Sequence, residues 1–97
     1  MRFQWDPEKN RDNVRKHGLH FADASEVFDG PLVARPDTRE DYGEERWLGI
    51  GNIRGLVVVV VFAMIGPDTI RIISLRKANR YERAQYEKAV ADELGTG

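Results

Sequence analysis

Apolar residues come in blocks in the second half of the chain and are spaced out in the first. From Leu56 to Met64 the sequence is continuously apolar and contains five consecutive valines. A run of that length, rich in β-branched residues, predicts a central strand buried on both faces. Arg46–Gly51 alternates weakly and Ile70–Leu75 reads as a further strand. Between them, Asn52-Ile53-Arg54-Gly55 and Gly66-Pro67-Asp68 have the length and chemistry of hairpin turns, so these strands are expected to run antiparallel. Arg2–Trp5 alternates enough for a short first strand, and Leu32–Arg35 predicts a brief one before Pro36. Pro36–Gly43 is polar and reads as a loop.

Helix signals bracket the strands. Asp6-Pro7-Glu8 supplies an acceptor at the N-cap, proline at the first helical position and an acid in the first turn. Gly18 suits the C-terminal stop, with Lys16 and His17 in the last turn. This first helix has one aliphatic residue, Val14, beyond its capping region, so polar contacts from Asn10, Asn13 and His17 are expected to dock it. Phe21, Ala24 and Phe28 follow helical spacing for a short second helix, ended by Asp29-Gly30-Pro31. Ala78–Leu94 predicts a third helix with Tyr86, Ala89 and Val90 on one stripe, and Gly95-Thr96-Gly97 is expected to fray. The order implies an α+β fold, a compact antiparallel β-sheet of about four strands with two N-terminal helices and a C-terminal helix on one face.

Ninety-seven residues, 41% hydrophobic and 32% charged, fit one soluble domain spanning 1–97. The chain has no cysteine, which excludes disulfides and thiolate metal sites. No secretory pattern opens it, and its longest apolar run, Leu56–Ile65, is about half a membrane span, so a cytoplasmic location is expected. The net charge of −1 hides a sorting by sign. Lys9–His17 and Ile70–Lys88 are basic, and Asp23–Glu45 is acidic, with eight acids against Arg35 and Arg39. A fold that joined the basic ends would carry one basic and one acidic face. Solvated helix surfaces would give the same pattern without function. The sharpest feature is the end of the last strand, where Arg76, Lys77 and Arg80 gather. Such a cluster on a rigid base suits phosphate.

Two motifs occur together: Trp5-Asp6-x-x-Lys9-x-x-x-Asn13-x-x-Lys16-His17-Gly18, and Arg71-Ile72-Ile73-Ser74-Leu75-Arg76-Lys77-Ala78 followed by Glu82-Arg83 and Tyr86-Glu87. Gly43-Glu44-x-Arg46-x-x-x-Ile50-Gly51 lies between them. In this order they resemble the BrnT family of bacterial toxins from about Phe3 to Glu87. The family usually has a small residue where Leu75 stands. The resemblance implies a RelE/ParE-like fold and a ribonuclease toxin of a type II toxin–antitoxin pair. It also implies a BrnA-type antitoxin with a ribbon-helix-helix domain, through which alone the complex meets operator DNA.

RNA supplies its own nucleophile, the 2′-hydroxyl, so the protein needs to align it, neutralise charge and move two protons. Arg76 is placed on the scissile phosphate, with Lys77 and Arg80 on it or its neighbours. His17 is the natural proton carrier, since imidazole exchanges protons near neutrality, or a structural residue bonded to Trp5 or Asn13. Lys16 pairs with phosphate or stabilises its helix end. Lys9, Asn13 and Lys16 share a helical face turned to RNA or to a partner. Arg46, alternating with Leu48 and Ile50, needs an ion-pair partner or a functional reason. Arg71 and Arg83 add to the RNA-binding charge, Tyr81 stacks, donates a proton or packs, Glu45 is a candidate base and Glu44 surface. Trp5 and Trp47 are assigned to the core. Neither a metal site nor a cofactor is expected, because no H-x-x-x-H spacing occurs. Metal-independent cleavage leaving a 2′,3′-cyclic phosphate and a 5′-hydroxyl follows. The alternatives are a ParE-like inhibitor of a protein target without catalysis, and a module that only docks an antitoxin.

Overall fold

The structure is a computed structural model describing residues 1–95, with side chains placed through Glu93. The chain runs β1 (Arg2–Gln4), α1 (Pro7–His17), a 3₁₀ helix (Phe21–Asp29), β2 (Val33–Pro36), β3 (Trp47–Ile53), β4 (Leu56–Ile65), β5 (Thr69–Lys77) and α2 (Arg80–Gly95). Gly95 closes α2; of the residues expected to fray, Thr96 and Gly97 lie outside the described residues.

The valine run does form the sheet's central strand: Val57 through Ala63 of β4 are buried without interruption. β3 and β5 flank it antiparallel, and β2 adds antiparallel to β3. Arg54 and Gly55 make a two-residue turn with φ of 48° and 91°. Positive φ at both positions is the turn whose twist matches paired strands. Arg54 tolerates it while its guanidinium reaches Asp23 at 3.3 Å and Glu26 at 3.2 Å on the 3₁₀ helix.

Two expectations about the sheet are corrected. It has five strands in the order β1-β5-β4-β3-β2, and it is mixed, because β1 pairs parallel to β5. Parallel pairing is reached by the α1-to-β4 crossover, which a three-residue strand cannot announce in its own sequence. The helices also divide between the two faces. Phe21, Ala24 and Val27 pack with Val58, Val60, Phe62, Ile72 and Leu75 on one face, whereas Tyr86 and Val90 of α2 pack with Leu48, Ile50, Val57 and Val59 on the other. The alternation of β3 and β4 makes this necessary, since both strands present apolar residues to both sides.

The second helix is a 3₁₀ helix, and the reason lies in its spacing. Its buried residues Phe21, Ala24 and Val27 recur every third position, which matches three residues per turn. Phe28 instead packs edge-on to Phe62, ring centroids 5.1 Å apart. The 3₁₀ helix lies so close to β3 that a Cβ on Gly51 would stand 2.5 Å from Val27 Cγ1.

α1 is capped as its sequence dictates: Asp6 Oδ1 accepts from the Glu8 N–H at 2.9 Å, and Gly18, at φ 69°, ends it in the left-handed region. Its docking is polar. Asn10 Oδ1 accepts from the Phe21 N–H at 2.8 Å. Asn13 is buried; its Nδ2 donates to the Leu75 carbonyl at 2.8 Å and the Leu19 carbonyl at 2.9 Å, while its Oδ1 accepts from the Leu75 N–H at 3.2 Å. β1 ends opposite Arg71, so Asn13 stands in for the missing strand and satisfies both backbone groups of Leu75. Leu75 itself is wholly buried in the core. The docking role expected of His17 falls to these two asparagines; His17 is exposed and has no hydrogen bond to Trp5 or Asn13.

Candidate functional site

A bulge in β5 decides which cations meet. Phe62 pairs with Ile72 and Val61 with Ser74, so Ile73 has no partner. Regular alternation would put Arg71 and Arg76, five positions apart, on opposite faces. The extra residue brings both to the α2 face, Arg71 opposite Ala63 and Arg76 opposite Val59. Arg35 joins them there, because it pairs with Leu48, whose side chain packs on that face.

Each arginine of this site except Arg35 is held by a carboxylate. Arg76 Nη1 and Nη2 donate to the two oxygens of Glu82, both at 2.8 Å. Glu82 also belongs to the N-terminal cap of α2: its Oε1 accepts from the Asn79 N–H at 2.9 Å, and Asn79 Oδ1 accepts from the Glu82 N–H at 2.8 Å. The Arg76 fork and this backbone bond hold the Glu82 carboxyl down to about 2, and burial opposes them. Glu44 bridges Arg46 Nε at 3.2 Å and Arg71 Nη1 at 3.0 Å. Arg46 also lies over the Tyr42 ring, 4.2 Å from its centroid. Arg39 Nε and Nη2 donate to Asp37 Oδ1 and Oδ2, both at 2.7 Å, and that fork holds the buried Asp37 carboxyl down to about 2. The Arg35 side chain is exposed and makes no ion pair or hydrogen bond with the described residues.

Two expectations change and one is met. Arg76, Lys77 and Arg80 do not form one cluster, because adjacent strand residues point to opposite sides: Lys77 lies opposite Val58, whose side chain is in the other core, while Arg80 is the exposed first residue of α2. The acidic middle of the chain is not a separate face. Glu44 and Asp37 fold onto arginines, and Glu44, for which a plain surface position stood open, bridges Arg46, a candidate catalytic residue, and Arg71, expected to bind RNA. Arg46 has the ion-pair partner its position demanded.

The other candidates are dispersed. Lys16 and His17 end α1, exposed, along the edge of β5. Lys9 lines a cleft with Arg71, Gln4, Trp5 and Asp6 at the end of β1. Trp5 and Trp47 pack, partly buried, against the core. Tyr81 is 70% exposed and its hydroxyl accepts from Gln85 Nε2 at 3.2 Å, so packing is not its role. Arg83 faces Glu87 at 3.9 Å in a loose surface pair. Glu45 is exposed. Arg35, Asp37 and Arg39 were not singled out in the sequence. Their only signal was being the two cations in an acidic stretch, with an acid two positions before one of them.

The arginine face can hold anions on preset guanidiniums, a geometry suited to a phosphodiester chain. Among the described residues no helix is long and apolar enough to cross a membrane, and no three His or carboxylate side chains gather as metal ligands.

Comparisons with known proteins agree with this chemistry. No curated protein matches the sequence. The crystal structure of the Brucella abortus ribonuclease toxin BrnT matches with a TM-score of 0.68 and 32% identity, over 82% of this chain and 99% of that one. The family model described as "Ribonuclease toxin, BrnT, of type II toxin-antitoxin system" matches residues 5–82. With sequence motifs, fold and an arginine-lined face in accord, the chain belongs to the BrnT family of ribonuclease toxins of type II toxin–antitoxin systems.

Proposed function

We propose that the protein is a metal-independent RNA endonuclease that arrests growth by cutting RNA and is neutralised by a BrnA-type ribbon-helix-helix antitoxin, which alone brings the complex to operator DNA. The match to the ribonuclease toxin family over residues 5–82 carries this reading. In the reaction the RNA 2′-oxygen attacks the adjacent phosphorus, a base takes its proton, and the 5′-oxygen leaves with a proton from an acid. The products are a 2′,3′-cyclic phosphate and a 5′-hydroxyl. Arg76, preset by Glu82, stabilises the charge that grows on the phosphoryl oxygens, the task a fixed cation performs best. Lys77, Arg80, Lys16 and Lys9 guide the strand around the sheet edge, and Arg46 and Arg71 extend the basic face when phosphate displaces Glu44. Exposed His17 and Tyr81 are the groups offered for proton transfer.

The test is cleavage of RNA in EDTA, beside the same strand with 2′-deoxy sugars. Cutting of the first and not the second is expected. Equal cutting of both removes the 2′-hydroxyl mechanism. Toxicity with no RNA cut assigns the protein to the inhibitors of a protein target.

A further inference from the structure

We infer that Arg35 and Arg39 form a second RNA phosphate subsite beside Arg76, with buried Asp37 as the residue that positions Arg39. The inference rests on the endonuclease reading and adds residues outside the sequence motifs that carry it.

Asp37 is the anomaly that leads there. Its side chain is 1% exposed although it sits in a loop, while the side chain of its partner Arg39 is 62% exposed. Burying a carboxylate is costly, and a pair with one end in water returns little stability. What the pair does provide is aim. Both Asp37 oxygens are taken by Nε and Nη2 of Arg39, and Oδ1 also faces the Arg39 N–H at 3.3 Å. The guanidinium is thereby fixed edge-on. Nη1, with both its hydrogens, is left for another acceptor. Arg76 is held by the same device, through Glu82.

The Arg39 fork and the acid that holds Arg76 line two adjoining clefts. A cleft of about 450 Å³ is lined by Arg35, Asp37, Thr38, Arg39 and Leu48. A second, of about 300 Å³, shares Arg35 and Leu48 with it and continues to Glu82 and Gln85 of α2. The charges are close enough to be felt: Arg39 disfavours the charge on Arg76, and Arg35 favours that on Glu82. Arg35 and Arg39 therefore line the first cleft, and Arg35 carries it on to the second, which Glu82, the acid that holds Arg76, also lines. A lone anion needs one such site. A row of cations fits a ligand with repeating phosphates, and a single strand tracks such a groove by its backbone.

The experiment measures binding of a short 2′-O-methyl RNA, which keeps its phosphates and blocks 2′-oxygen attack, at several salt concentrations. Arg35→Ala and Arg39→Ala are each expected to weaken binding roughly tenfold. Each also lowers the slope of log affinity against log salt by about 0.7, the mark of one lost phosphate contact on a single strand. Asp37→Asn is expected to weaken binding with the slope kept, since the arginine's charge remains and only its aim is lost. Should Arg39→Ala not fold, because it strands Asp37, the double variant Asp37→Ala with Arg39→Ala removes both charges, and Arg35→Ala, at an exposed strand position, still decides. Unchanged affinity and slope in the Arg35 and Arg39 variants, with Arg76→Ala still weakening binding, overturns the subsite and leaves the endonuclease reading standing. A wild-type protein that binds no RNA at any salt overturns both.

Discussion

On one face of the sheet Phe21, Val27, Phe62, Ile72 and Leu75 meet in an apolar core; on the other, Arg35, Arg46, Arg71 and Arg76 stand among Asp37, Glu44 and Glu82. Burial alone explains the first face. It does not explain the second, where half-exposed ion pairs contribute about 0–1 kcal/mol each, less than the same positions would give as aliphatic residues under α2. The apolar face fixes the fold, and on the arginine face acids neutralise the cations.

The sharpest break in the comparison is Phe21→Ala. Truncating a ring that is 1% exposed in the apolar core is expected to cost about 4 kcal/mol of stability, read as a drop in the denaturant midpoint. Arg76→Ala is the mirror image. It is expected to lower the rate of RNA cleavage by about 3 kcal/mol, roughly a hundredfold or more, while stability falls by about 1 kcal/mol or less. A folded Arg76→Ala protein that cuts at the wild-type rate removes Arg76 from the site.

The smallest effect is a pH dependence that belongs to one face only. Asp37 and Glu82 are both held down to about 2 by their arginines, below their values in the unfolded chain. The unfolded state then binds protons at a pH where the folded state does not. Stability is therefore complete above about pH 5 and is lost progressively as pH falls toward about 2. Urea midpoints across that window measure it. Glu82→Gln is expected to remove part of the slope, and Phe21→Ala to lower every midpoint while leaving the slope intact. A slope unaltered by Glu82→Gln would separate the arginine face from acid stability.

Much of the fold was legible because it is written locally. Asp6-Pro7 and Gly18 mark α1, the valine run marks β4, and Tyr86 and Val90 mark the buried stripe of α2. What was illegible depends on partners distant in sequence. β1 carries no sign that it pairs parallel with β5, and Glu44 gives no sign that Arg71, 27 positions on, is its partner. The 3₁₀ helix was misread because Phe28 also fits a helical period; the third-residue repeat ending at Val27 was the better clue. At the site, strand alternation already separated Arg76 from Lys77, and the sequence reading overlooked it. The bulge at Ile73 that reunites Arg71 with Arg76 has no signature, since a bulge is a property of two strands. Arg35 and Arg39 were concealed by the acids around them.

The parallel seam between β1 and β5 has a consequence for timing. β1 leaves the ribosome well before the strand it pairs with, Arg2 with Thr69 and Gln4 with Arg71. At typical rates of synthesis the N-terminal segment waits on the order of 10 s for its partner. Arg76 and Glu82 arrive later still, so the nascent chain carries no assembled arginine face until both have been made.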